Sequence, residues 1–198
     1  GPRFVFQIPQ NQSGSGCHAA NETLECLEEA MRQMVNLGYV FDADVLVANL
    51  DNHAGSNKTP VILLWGADLV LRRVFRKVKF RYLIRGHTHN LQDQIFSVLG
   101  RSFRKWSSFV FDMKRQAAAI RDAFRDEENK PVPFEIRAIR DFSRHYKEQL
   151  AAVRLEKLAS QHVRIQINAG LGGCYTMHTD SGTGPIGPGQ TLCLTALI

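Results

Sequence analysis

Val45-Leu46-Val47-Ala48-Asn49-Leu50-Asp51-Asn52-His53 decides the fold of this chain. Four consecutive apolar residues, three of them branched, read as a central strand buried on both faces. The strand ends abruptly in the polar run Asp51–Lys58. Thr59-Pro60 then opens a helix, with proline in its first turn where the missing N–H costs nothing. That helix, about Pro60–Val74, is apolar nearly all round and is expected to be buried. Val78, Phe80, Tyr82 and Ile84 alternate with Lys79, Arg81 and Leu83, which is the period of a strand with one polar face. Gly86 breaks it, and a third helix is expected over about Leu91–Trp106, with Leu91, Ile95, Phe96, Leu99, Phe103 and Trp106 inward.

Working outward, Phe4–Ile8 reads as a short strand. A helix follows that Asn21 can cap; Leu24, Leu27, Met31, Met34 and Val35 mark its inner face, and Gly38 closes it. A further helix is expected over Phe111–Arg125, at least one within Ile139–Ser160, and a strand at Val163–Ile167. Strand alternating with helix calls for an α/β architecture, an open sheet with helices packed on it. Residues 3–165 form the expected core with a helical extension, and residues 166–198 an irregular, glycine-rich tail.

The chain has 198 residues, 44% of them hydrophobic, enough for one domain with a proper core. No apolar run reaches membrane-spanning length, so no membrane partner is expected. Gly1-Pro2 looks like a protease scar, which would leave the native N-terminus outside the sequence. Cys17, Cys26, Cys174 and Cys193 show neither CxxC nor zinc-ligand spacing and read as reduced thiols.

The net charge of +6 is unevenly spread. Arg72, Arg73, Arg76, Lys77, Lys79, Arg81, Arg85, Arg101, Arg104 and Lys105 fall in one stretch whose only acid is Asp93. A charge run is ordinarily a solvated face. Here it spans a helix end, a strand and another helix, and a positive surface of that kind suits phosphate backbones. DNA is therefore the expected partner, through Arg72, Arg73, Arg76, Lys77, Arg85, Arg101, Arg104 and Lys105.

Ligands of open α/β sheets bind beyond the carboxyl ends of the strands. Two polar loops leave the sheet there, and neighbouring strands would cluster Asp51, Asn52, His53, Asn57, Lys58, His87, His89 and Asp93. Carboxylates with imidazoles and amides suit a hard divalent cation, magnesium or manganese, with substrate phosphate completing its shell. The bland readings are a turn or cap at Asp51-Asn52, and at Asp93 a carboxylate that merely supports the start of the third helix.

The runs Leu50-Asp51-Asn52-His53-Ala54-Gly55-Ser56-Asn57-Lys58-Thr59 and Arg85-Gly86-His87-Thr88-His89-Asn90-Leu91-Gln92-Asp93-Gln94-Ile95-Phe96-Ser97 carry a resemblance. Together they resemble the Asp-Asn…Asn-Lys and Gly-His-Thr-His…Asp…Phe-Ser motifs of DDE-type transposase-like domains of eukaryotic mobile elements. The likeness covers about residues 4–165, and the second motif is the more specific. It implies a ribonuclease-H-like open mixed sheet flanked by helices and nuclease or strand-transfer chemistry on DNA. Asp51 would be the second catalytic acid and Asp93 the third. These two, with His87 and His89, would be the metal ligands, and Lys58 and Arg85 would neutralise charge on the phosphate. A nuclear or nucleocytoplasmic location goes with that reading, and self-association is compatible with it.

The sequence departs from the pattern at the first acid. Phe4–Ile8 holds no carboxylate, and none follows before Glu22; Asp42 and Asp44 sit at the wrong end of the second strand. Either the first strand lies upstream of Gly1 or this copy has lost the residue. Two alternatives stay open. One is a non-catalytic, domesticated transposase remnant that binds nucleic acid or a protein. The other is a calcineurin-like metallophosphoesterase, suggested by Gly86-His87-Thr88-His89 but lacking that class's Asp-x-His and Gly-Asp-x-x-Asp motifs.

Overall fold

A computed structural model of the chain describes residues 2–8, 18–39, 44–51, 53, 56–82, 91–105, 112–126, 130–152, 164–169, 174–180 and 190–193. It is mixed α/β and divides into two compact units. One comprises residues 1–14, 25–39 and 88–139; the other comprises residues 15–24, 40–87 and 140–198.

The second unit contains the decisive stretch. Strands β2 (Val45–Leu50) and β3 (Lys77–Tyr82) are parallel neighbours, with Val45 opposite Lys77 and Leu50 opposite Tyr82. They are joined through helix α2 (Pro60–Leu71). Strand β5 (Arg164–Ala169) runs antiparallel to β3, and β6 (Cys174–Asp180) and β7 (Gln190–Cys193) extend it as a meander. The order is β2-β3-β5-β6-β7, a mixed sheet. Two strands therefore lie in the stretch expected to be irregular. They pair by backbone ladder, and their register sets Cys174 opposite Cys193, a juxtaposition that the spacing of the cysteines does not announce.

Helix α2 is the keel of this unit. Nine of its residues, among them Ile62, Leu63, Trp65 and Leu69, are buried, as its all-round apolar sequence requires. Each large side chain so buried contributes about 1.5–3 kcal/mol. Gly66 faces the sheet: a Cβ there would lie 2.7 Å from the Phe80 ring and 3.2 Å from Ile167. Helix and sheet approach closely because this position has no side chain.

The two faces of β2 and β3 are not equally covered. Leu46, Ala48 and Leu50 pair in register with Val78, Phe80 and Tyr82 on the covered face. On the other face Val47 is 40% exposed and Asn49 and Arg81 are exposed. The apolar run Val45–Ala48 thus belongs to a strand buried on one face, and Asn49 and Arg81 mark the open side.

Helix α2 ends before Val74. Arg73 adopts φ +58, the N–H of Arg73 bonds to the carbonyl of Val70, and that of Val74 bonds to Leu69. This is a Schellman closure with a non-glycine residue in the left-handed position. A left-handed residue with a Cβ costs about 1–2 kcal/mol. Arg73→Gly should therefore raise stability by about 0.5–1 kcal/mol once glycine's entropy is subtracted. An unchanged or lower unfolding midpoint in urea would contradict the assignment.

The same unit holds short helices α5 (Phe142–His145) and α6 (Lys147–Ala152). Helix α1 (His18–Asn36) divides between the units, its residues up to Leu24 in this one. Asn21 is not its cap. The helix starts at His18, and Asn21 is buried, donating to Asp141 Oδ1 (3.4 Å) and accepting from the Ser143 backbone N–H (3.3 Å). At the other end Gly38 takes φ +82; its N–H bonds to Val35 and that of Tyr39 to Met34, a Schellman closure as expected. Val35, expected inward, is 55% exposed.

The first unit is built on β1 (Phe4–Gln7), which pairs in parallel with β4 (Val132–Glu135) as a separate two-stranded sheet. The alternating element order suggested one sheet containing β1. The ladder instead goes to β4, a strand the sequence reading did not identify. Helices α3 (Leu91–Lys105) and α4 (Met113–Ala123) pack here around Leu99, Ile120 and Phe124, with Val5, Ile95, Val98 and Phe103 against them. Asp112 caps α4, its side chain accepting from the Lys114 N–H. Phe96, expected inward, is 68% exposed, because the helix turns Leu99 and Phe103 to the core instead. Ile84 and Trp106 lie outside the described residues.

Candidate functional site

Because β2 and β3 are parallel, Leu50 and Tyr82 bring both strands to one edge of the sheet. From that edge the chain passes through Asp51 and His53 to Ser56, Asn57, Lys58 and Thr59 before entering α2. Asn57 holds this connection. Its side chain donates from Nδ2 to the Asp51 carbonyl (3.0 Å) and accepts at Oδ1 from the Thr23 hydroxyl (3.1 Å). Its backbone N–H donates to the His53 carbonyl (2.9 Å), and its own carbonyl accepts from the Tyr82 hydroxyl (3.0 Å). Four polar groups of one buried residue thus tie together the end of β2, the end of β3 and the first turns of α1. Asparagine suits the position because it offers a donor and an acceptor on one short side chain.

Lys58 is buried, with Nζ 4.9 Å from the centroid of the Tyr82 ring. A cation over an aromatic face is stabilised by the ring quadrupole, the more so when desolvated. Burial pushes the Tyr82 phenol well above its ordinary range, so the hydroxyl stays protonated and remains a donor to Asn57. Asp51 presents an exposed side chain at the strand end. His53 is exposed too, its Nδ1 hydrogen-bonded to Ser56 Oγ at 3.0 Å.

Of the residues anticipated in this cluster, the structure therefore brings Asp51, His53, Asn57 and Lys58 together on one connection. Asn57 is the framework of the loop, with its amide already engaged. Thr23 and Tyr82 are members that the motifs did not reveal. Tyr82 reads in sequence as one more apolar strand residue, and Thr23 is remote in the chain. Asp93 is the third residue of α3, in the other unit. Asn52, Arg85, His87 and His89 lie outside the described residues. Among the described residues no group of three His, Cys, Asp or Glu side chains converges as a metal cluster. Asp51 is the carboxylate of the described loop.

The basic residues also divide. Arg72, Arg73, Arg76 and Lys77 belong to the unit of the five-stranded sheet; Arg101, Arg104 and Lys105 end α3 in the other, all three exposed. Arg72 lies 3.7 Å from Asp68 and Arg76 3.2 Å from Asp44, so acids outside the basic stretch pair with two of its members. Exposed pairs of this kind contribute under about 1 kcal/mol. Among the described residues no helix is long and apolar enough to cross a membrane.

A sequence profile for a family described as "Domain of unknown function (DUF7869)" matches residues 12–173. No curated protein and no solved structure matches the chain.

Proposed function

The chain belongs to the DUF7869 family, and for it we propose, from the motifs and the geometry of the loop after β2, metal-dependent phosphodiester chemistry on DNA, of the transposase or integrase-like nuclease type. One observation supports it above the others: a carboxylate, Asp51, stands at the carboxyl end of a parallel strand pair, on a connection fixed from three directions by Asn57. Elaborate anchoring of a polar loop at a strand end is how α/β sheets hold ligands. The mixed sheet, with a parallel pair beside an antiparallel meander, is compatible with the ribonuclease-H-like class that the motifs suggest.

In this reading Asp51 is a ligand of magnesium or manganese, and Asp93, His87 and His89 are the further ligands that the motifs imply. The bound ion would supply Lewis-acid activation of water or of a DNA 3′-hydroxyl. The chain's own residues do the rest. Asn57 keeps the Asp51 backbone in place. Lys58 and Arg85 supply positive charge near the phosphate. Arg72, Arg73, Arg76, Lys77, Arg101, Arg104 and Lys105 bind the DNA backbone, with little sequence preference and steep salt dependence.

The second reading, a DNA-binding remnant without catalysis, is favoured by β1: Phe4–Gln7 carries no carboxylate and lies outside the sheet of β2 and β3. A metal titration followed by thermal unfolding separates the two. Millimolar manganese should raise the melting temperature by a few degrees, since a ligand of the folded state must stabilise it, and Asp51→Asn should abolish the rise. DNA binding with no metal response in the wild type would leave the remnant reading standing.

A further inference from the structure

The face of β3 turned away from α2 carries a row of cations. Lys77, Lys79 and Arg81 alternate with the buried residues Val78, Phe80 and Tyr82, so all three share the other face of β3, Arg81 exposed and Lys77 and Lys79 partly buried. None makes an ion pair among the described residues. Successive members are about 6.7 Å apart along the strand, twice the rise per residue, a repeat comparable to that of phosphates along one nucleic-acid strand.

The flanking strands suit the same partner. In β5, Gln166 stands opposite Lys79 and Asn168 opposite Lys77; their side chains are half-buried and joined, Gln166 Nε2 to Asn168 Oδ1, at 3.1 Å. Amides beside cations offer phosphate and base edges further hydrogen bonds. Arg81 is in register with Arg164, and Asp180 follows opposite Arg164 on β6.

We infer that this sheet face binds single-stranded nucleic acid, whose phosphate backbone runs along β3 over Lys77, Lys79 and Arg81. A row along one strand matches the repeat of one extended backbone. The inference rests on the nucleic-acid partner of the reading above but not on its metal chemistry. It assigns Lys79 and Arg81 to the interface and gives Lys77 a different setting from the helix-end arginines.

The test is fluorescence anisotropy with a labelled mixed-sequence single-stranded oligonucleotide, without divalent metal, over a range of salt. Lys77→Thr/Lys79→Thr/Arg81→Thr should weaken binding at least about tenfold. It should also flatten the slope of log affinity against log salt by about 2, since each phosphate neutralised on a single strand contributes about 0.7. Lys79→Gln and Arg81→Gln singly should each give a part of that loss, and they serve if the triple variant melts early. Wild-type affinity and slope in folded variants would overturn the inference. So would competition by polyglutamate as effective as by unlabelled oligonucleotide, or a duplex bound better than the single strand. Arg101→Ser/Arg104→Ser/Lys105→Ser, measured alongside, distinguishes the failures. If that variant alone loses DNA, the sheet face is wrong and the DNA-binding reading survives; if the wild type binds no DNA at all, both fall.

Discussion

Asn57→Ala should lower the stability of the chain by about 3 kcal/mol. The substitution removes the Nδ2 donor from the Asp51 carbonyl and the Oδ1 acceptor from the Thr23 hydroxyl in a buried position. Each buried polar group left unsatisfied costs about 1–3 kcal/mol. Thr23 loses least, because its hydroxyl also lies 3.1 Å from the Ala19 carbonyl. For 198 residues the melting temperature should fall by roughly 6–12 °C. Thr23→Val should then cost less in the Asn57→Ala background than in the wild type, because only the contact with the Ala19 carbonyl remains to be lost. Additive losses in that double-mutant cycle would show that the two residues are not coupled. If Asp51 binds metal, Asn57→Ala should also weaken the thermal response to manganese, since the Asp51 backbone is no longer held.

Gly66→Val is expected to cost about 3 kcal/mol or more, at the upper end of the range for overpacked cores. The Cβ would arrive 2.7 Å from a Phe80 ring that is itself fully buried, and Ile167 closes the other side. Both neighbours are fully buried, and the branched methyls add to the crowding. Gly66→Ala should be milder, since a gain in helix propensity of about 1 kcal/mol offsets part of the clash. Urea unfolding of both variants checks the ordering. Val less destabilised than Ala, or either as stable as wild type, would mean that α2 does not sit against the sheet at this point.

The sequence by itself determined β2, α2, β3 and the ends of some helices, and one edge of the site. The apolar run at Val45–Ala48, the all-round apolar α2 and the alternation through β3 are local patterns, and a strand–helix–strand unit of this kind forms a parallel pair. Proline at the start of α2 and glycine after α1 act through backbone conformation within a few residues, so those ends were legible too. Asp51 at a strand end follows from the same reasoning.

Tertiary structure decided what depends on partners remote in the chain. That β1 pairs with β4 is a contest between ladders that no local period encodes. Whether β2 is covered on one face or two depends on what packs there, which is why an apolar run was read as doubly buried and Val47 proved exposed. Asn21, a plausible cap by residue type, became a buried tie to Asp141 and Ser143. Asn57, named for its place in a motif, became the hub of a loop through Thr23 and Tyr82. A side chain's chemistry is written in its identity, but its role is fixed by which donors and acceptors the fold leaves within about 3 Å of it.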